Sequence, residues 1–317
     1  MPDMTTSYLP PAVQAEMDKN ILSTPTRNCI YSICAERYRM NKNSGSIKRF
    51  KRYNQLAPAT APLGNSGITP APETLIAVYI DAQMSFYGAW ISCNEQVQLQ
   101  NEDNVLNSMA IRLGVQMRLT EDELAKDMLA ATANVIFCTN GFNGDNPTNI
   151  TTTDILDVTT MLQTADAMTI AEMEEGEMKF GTSPIYSSFF CYTNTRMIPD
   201  LTTLPGYVSK FNYSNQRNCL KSEIGSYAYA RFLVSSAGSY SPNASFNGAN
   251  VYHNIFVGHE SHAMIDQDAY GPSFIYTPPS IAGGPMHLNG TVAWKTAMAH
   301  RILNDQWLCR LDSTLNV

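Results

Sequence analysis

Ionised side chains are scarce in this chain of 317 residues: Asp, Glu, Lys and Arg make up 15% of it, against roughly 25% in an average soluble domain. Hydrophobic residues make up 44%, with 16 Met and 16 Tyr among many Asn, Thr and Ser. Desolvating an amide or hydroxyl costs far less than desolvating an ion, so this composition suits a surface covered by neighbours. A neutral-surfaced monomer is the plainer alternative. Paired cysteines are also missing. The seven, Cys29, Cys34, Cys93, Cys138, Cys191, Cys219 and Cys309, are odd in number and contain no CxxC. That argues against a disulfide framework or zinc ribbon and for reduced thiols. No apolar run approaches the ~18 residues of a membrane span. Residues 1–20 lack the apolar core and basic start of a signal peptide, so the chain is expected to stay off membranes and in the compartment where it is made.

Catalytic motifs are absent too. There is no GxxxxGK[ST], no GxGxxG and no GxSxG, which removes the local signatures of nucleotide cradling and of a serine-hydrolase elbow. His259-Glu260-Ser261-His262 places two histidines three apart, not the four that put both rings on one helical face of an HExxH site. With His253 and Asp266 nearby, a metal-dependent enzyme is a rival reading of the chain. Two exposed polar histidines at the mouth of a short helix is the plainer one. Asn140–Asn146 resembles a calcium loop in composition but lacks its ligand ladder, and reads as a Gly/Asn turn. Asn243-Ala244-Ser245 has glycosylation spacing without a secretory signal.

What the chain does have is uneven charge. Residues 1–60 hold nine Lys/Arg against four Asp/Glu, and the remainder twelve against twenty-four, giving a net charge of −7. A basic arm on an acidic body suggests electrostatic docking. The densest basic run is Lys48-Arg49-Phe50-Lys51-Arg52-Tyr53. It suits contact with acidic protein, and its aromatics leave single-strand nucleic-acid binding as a second rival. Glu172, Glu174, Glu175 and Glu177 form an acidic run that reads first as a solvated loop edge.

Periodicity organises the rest. Residues 1–45 read as an arm, with short helices expected at Val13–Ile21 and Cys29–Met40. Residues 46–92 read as two long strands, Ser46–Leu56 and Thr74–Ser92, joined by a Pro/Gly-rich tip too long for an ordinary hairpin. The strongest helix signal spans 103–137, with Asp103 or Asn104 as N-cap and a length of roughly 45 Å. Thr120-Glu121-Asp122-Glu123 could start a second helix, but the apolar stripe keeps its phase across it, which favours one. Gly141 and Gly144 are expected to close it. Further on, an amphipathic helix is expected over Asp154–Ala167. Strands are expected at Ile185–Tyr192, Tyr227–Ser235 and Asn250–Gly258. Asn194 should cap a short helix, and Glu260–Gln267 should make one or two helical turns. Thr291–Thr314 reads as extended, with a possible helical turn over Ala297–Asn304.

Several blocks together carry a family resemblance. They are Phe86–Trp90, Leu113–Gln116, Leu124–Leu129, Asn134–Phe137, Asp200–Tyr207 and Glu223–Ser226. Arg231–Val234, Asn254–Gly258, Gly290–Lys295 and Arg301–Leu311 complete the set. In this order, over roughly residues 75–315, they resemble the tailed-bacteriophage major capsid proteins of the Hong Kong 97-like fold, and among them the N-four-like podophage family. The sequence before residue 75 matches that family poorly. The resemblance implies an α+β capsid fold. Its parts would be an N-terminal arm (1–45), an extended two-stranded E-loop (46–92) and a spine helix of the peripheral domain (93–139). A mainly axial domain (140–287) and C-terminal strands of the peripheral domain (288–317) would follow.

It also implies a structural protein that assembles with itself into hexamers and pentamers of an icosahedral head around double-stranded DNA, bound without sequence specificity. No catalytic, cofactor-binding or metal-ligating residues and no cofactor are expected. The implied place is the virion shell, assembled in the bacterial cytoplasm with a separate scaffolding protein, a portal and in some cases a decoration protein. Lys48, Arg49, Lys51 and Arg52 then become candidates for contact with acidic surface such as Glu172, Glu174, Glu175 and Glu177 of a neighbour. Phe86, Tyr87, Trp90, Trp294 and Trp307 become packing anchors, in the core or at an interface.

Overall fold

The computed structural model describes residues 26–60, 71–96, 105–138, 147–170, 187–213, 219–245, 248–267, 273–282 and 286–316. Two sheets share one long helix. The strands in chain order are β1 (Glu36–Met40), β2 (Ile47–Tyr53), β3 (Ala77–Gln83), β4 (Ser85–Asn94), β5 (Val135–Phe137), β6 (Phe189–Asn194), β7 (Val208–Ser209) and β8 (Glu223–Tyr227). They continue as β9 (Ala230–Ser235), β10 (Tyr240–Ser241), β11 (Val251–Val257), β12 (His262–Gln267), β13 (Ser273–Thr277), β14 (Asn289–Ile302) and β15 (Leu308–Ser313). The α-helices are α1 (Val105–Ala130), α2 (Thr152–Thr164), α3 (Ile198–Thr202) and α4 (Pro279–Ala282).

The larger sheet runs β5-β15-β11-β6-β9-β8-β7, with β10 on β11. Its strands are apolar on both faces because both faces are covered. Phe189, Cys191, Phe232, Phe256, Cys309 and Leu311 pack with Ile155, Val158 and Leu162 of α2. Phe190, Tyr192, Leu233, Ile255 and Leu308, one residue out of phase, pack with Ala125 and Leu129 of α1 and with Ile30 and Tyr31. The helix α2 starts on a capping box in which Thr151 and Asp154 bond each other's backbone N–H.

The smaller sheet is centred on the 14-residue β14. β4 pairs with residues 289–298 of it and β13 with residues 291–295, so these two strands occupy opposite edges. β12 pairs with residues 298–302, and β1 adds parallel to β12. Val292 and Trp294 face Leu113 of α1, whereas Ala297 and Ala299 face Met40, Ala82 and Met84 on the other side. Gly88 is where β4 comes closest to β14: a Cβ there would lie 2.7 Å from the Trp294 carbonyl oxygen.

α1 is therefore shared. Its first half packs on the smaller sheet through Leu113 and Met117, and its second half on the larger through Ala125 and Leu129. It is one helix of 26 residues, about 39 Å long, and passes unbroken through Thr120. The Thr120 hydroxyl donates to the Gln116 carbonyl at 2.9 Å, the habit of a mid-helix threonine rather than of an N-cap. The helix ends at Ala130, short of the expected 137, because residues 135–137 join the larger sheet beside β15. The proposed caps Asp103 and Asn104 and the stops Gly141 and Gly144 lie outside the described residues, as do Val13–Ile21, the Asn140–Asn146 turn and the loop tip at 61–70.

Three local expectations are corrected. Cys29–Met40 is not a helix. Residues 31–34 turn, and Glu36–Met40 is a strand in which Tyr38 and Met40 face inward between exposed Arg37 and Arg39. Its alternation of two follows directly on Ile30, Ile33 and Cys34, and together they imitate a helical spacing of three to four. Glu260–Gln267 is not helical either: His262–Gln267 is a strand with neighbours on both edges, buried on both faces and so without alternation. The expected strand over 74–92 is two strands that change partner at Met84: β3 pairs with β2 and β4 with β14. The region 297–302 is strand, and the helical turn falls at Asp305–Trp307, capped by Asn304. As expected, Asn194 caps the turn at 195–197 that leads into α3.

Candidate assembly surfaces

The hairpin β2–β3 forms a sheet of its own with two strands. Such a ribbon is marginal in water without further packing. Its root is anchored: Phe50 and Tyr38 meet edge to face at 5.0 Å, beside the cluster of Met40 and Ala82. Its far end is not, and Tyr53, Leu75, Ile76 and Tyr79 are each at least half exposed. Only Met84 separates β3 from β4, so the far end points away from the sheet that β4 enters.

The basic run sits on this hairpin, and the structure divides it. Lys48 donates to the Arg39 carbonyl at 2.6 Å and lies over the rings of Tyr38 and Phe50. Arg49 makes a two-pronged bond to Asp81, at 2.7 and 2.8 Å, across the strand pair. That bond holds the Asp81 carboxyl below the usual carboxylate range. Lys51 lies 4.4 Å over the ring of Tyr53, and Arg52 is exposed. The root cations thus act within the chain, and the distal pair faces outward. Glu172, Glu174, Glu175 and Glu177 lie outside the described residues.

The five aromatic anchors also divide. Trp294 is 4% exposed and its indole N–H donates to Gln116 Oε1 at 3.2 Å. Tyr87 packs partly buried beside it, and Trp307 donates to the Ala165 carbonyl at 3.0 Å. Phe86 and Trp90 are 68% and 67% exposed. They occupy the face of β4 opposite α1, so as core residues of the single chain they are corrected. The register places Trp90, Ala293 and Ile275 in one row across three strands of this face.

The residues of the metal rival are scattered. His253 holds Asp312 through Nδ1 at 2.6 Å and Ser241 through Nε2 at 2.8 Å, so both ring nitrogens are engaged. His259 lies 3.4 Å from Glu36. His262 is fully buried in β12, with Ser261 Oγ 3.1 Å from its Nδ1. Among the described residues, no three His, Cys, Asp or Glu side chains gather as a metal site. The Ser241–His253–Asp312 line has the order of a hydrolase relay, and sequence reasoning missed it because its members lie far apart with no local motif. Asp312 also receives Arg310, whose Nη2 donates at 3.1 Å. The arrangement ties β10, β11 and β15 side by side. Among the described residues, no helix is long and apolar enough to cross a membrane.

Comparison with known proteins gives the class. No family model and no curated protein matches the sequence. Solved structures do match over essentially the whole chain. The capsid of Ralstonia phage GP4 superposes with a TM-score of 0.68 at 12% identity, covering 100% of this chain and 99% of that one. The head structure of Helicobacter pylori bacteriophage KHP40 gives 0.66 at 10% identity, with 100% and 98% covered. The cyanophage Pam1 capsid asymmetric unit gives 0.64 at 12% identity, with 99% of each chain covered. The mixed helix-and-sheet fold described above is a tailed-phage major capsid protein fold.

Proposed function

We propose that the chain is the repeating subunit of an icosahedral phage head, assembling with itself into hexamers and pentamers around double-stranded DNA. The fold is read as Hong Kong 97-like, with α1 as spine, the β2–β3 hairpin as E-loop, the larger sheet as core of the axial lobe and the smaller sheet as the peripheral lobe. The observation that carries the reading is the hairpin, a ribbon that leaves apolar side chains uncovered and points away from its own body. A ribbon of that kind gains from lying on a neighbouring copy, at about 25 cal/mol per Å² of apolar area removed from water, repeated at every subunit. Phe86 and Trp90 supply a second uncovered apolar surface for such contacts. Lys48, Arg49, Lys51 and Arg52 on the hairpin, and Glu172, Glu174, Glu175 and Glu177, are proposed contact residues between subunits. Scaffolding, portal and decoration proteins are proposed partners, and the virion shell, built in the host cytoplasm, is the proposed location.

The test is electron microscopy of the expressed chain, alone and with the genes that neighbour it. Shells are expected from the wild type, and none from a variant with Lys51 and Arg52 both changed to Glu, whose fold circular dichroism should find intact. Absence of shells from the wild type with all its partners would refute the assignment.

A further inference from the structure

The outward stripe of α2 carries a groove of about 680 Å³, lined by Asp157, Thr160, Met161, Thr164, Ala165 and Gln306. Residues 157, 160, 161 and 164 recur at helical spacing on the side opposite the buried Ile155, Val158 and Leu162. Asp157 is exposed at one end, Met161 and Ala165 give an apolar floor, and among the described residues no Lys or Arg lines it. The sequence around it is one-sided: residues 127–195 hold nine Asp/Glu and a single Lys, Lys179.

The hairpin offers the complement. Lys51 and Tyr53 share one face of β2, with the ammonium 4.4 Å from the ring centroid and the Tyr53 side half exposed. Two residues along a strand span about 6.7 Å. One helical turn from Asp157 to Met161 spans about 6 Å. The two spacings match, which lets an ammonium reach the Asp157 carboxylate while a tyrosine ring rests on the Met161 thioether, a favourable sulfur–aromatic contact. We propose that the α2 groove receives Lys51 and Tyr53 of a second copy's hairpin. The inference rests on the shell reading and narrows it to one named contact. The Asp157 carboxylate at its end makes the groove a poor seat for nucleic-acid phosphates and a good one for a basic peptide edge.

Two measurements test it. In purified protein, a mixture of the Asp157→Cys and Lys51→Cys variants is treated with a short bis-maleimide linker, which spans the reach of the lysine side chain, and run on a denaturing gel, with each variant alone as control for the native thiols. A dimer band specific to the mixture is expected. In shell assembly, Asp157→Lys and Lys51→Glu should each lower particle yield about tenfold or more through like-charge contact, and the double reversal should restore it. If shells form normally from Asp157→Lys and the mixture gives no band, the groove assignment is overturned and the shell reading stands. If the wild type forms no shells and the mixture gives no band, both fall. A mixture-specific band without shells supports the groove and counts against the shell.

Discussion

Two histidines, the fully buried His262 and the partly buried His300, make the chain's stability acid-sensitive in a defined window. His262 on β12 and His300 on β14 stand diagonally across one strand pair, since Met264 opposes His300 and Ile302 opposes His262. Among the described residues, neither the His262 Nε2 nor either ring nitrogen of His300 has a hydrogen-bond partner. Burial lowers His262 from 6.5 to about 4, helped by the charge of His300 and opposed by a backbone bond at Tyr31. Burial also lowers His300 to about 4, with Arg37 of β1 adding to the effect. A folded-state value below the unfolded one means that the unfolded chain binds more protons. Stability is therefore full above pH 6.5, falls as pH drops toward 4, and then levels off. Each displacement of about 2.5 pH units corresponds to roughly 3 kcal/mol at about 1.36 kcal/mol per unit.

Three carboxyls at buried or partly buried positions work the other way. Glu121 and Asp122 of α1 and Asp266 of β12 are all raised, first by burial. They take up protons more readily in the folded chain and return part of the loss on acidification. The net dependence is thus isolated by comparison. Urea unfolding followed by tryptophan fluorescence at pH 7, 6, 5 and 4 should show the wild type losing several kcal/mol more than the His262→Gln, His300→Gln double variant. Equal losses in the two proteins would refute the reasoning, because the remaining titrations are common to both.

Two further outcomes follow from burial and close approach. Trp294→Ala should cost about 3–5 kcal/mol in urea unfolding, by emptying the space beside Leu113 and Val292, whereas Trp90→Ala should leave monomer stability within about 0.5 kcal/mol and lower shell yield. Gly238→Ala should destabilise by about 1–3 kcal/mol or more, because a Cβ there would meet the Asn194 Cα at 2.5 Å and its backbone nitrogen at 2.7 Å; an unchanged urea midpoint would contradict that close approach.

Where one face of an element is buried and the other wet, the sequence was readable. α2 carried an apolar stripe, and the helix forms, at 152–164. α1 kept its phase through Thr120, and it is one helix. Legibility failed where burial is two-sided or where partners change. β12 shows no alternation because it lies between β1 and β14. The break at Met84 left no mark because β3 and β4 continue the same apolar, β-branched and aromatic vocabulary on either side of a change of partner. In the candidate site, the basic run was visible as composition. Its division into an inward root and an outward tip was not, because the register of β2 on β3 brings Asp81 to Arg49, and the packing of β1 on the hairpin root brings Arg39 and the Tyr38 ring to Lys48. The α2 groove is not legible either, because Asn134 and Gln306, which line it beside Asp157, Thr160, Met161 and Thr164, are far away in sequence.

The scarcity of charge acquires a location from the fold. From Ala269 to Trp294 the chain contains no Asp, Glu, Lys or Arg over 26 residues. This stretch supplies β13, α4 and half of β14, and in the single chain it leaves Phe274 52%, Ile281 73% and Met286 75% exposed. β13 lies at one edge of the smaller sheet, and the exposed Phe86 and Trp90 lie on β4 at the opposite edge. An uncharged edge strand flanked by bare apolar side chains invites pairing with another chain, and proteins that remain monomers usually blunt such edges with lysine or proline. Here β13 reads Ser-Phe-Ile-Tyr-Thr, with neither. Charge lies elsewhere along the chain, with Lys48, Arg49, Lys51 and Arg52 on the hairpin and nine Asp/Glu among residues 127–195. Apolar edges would then supply the affinity between subunits, and the separated basic and acidic regions the specificity.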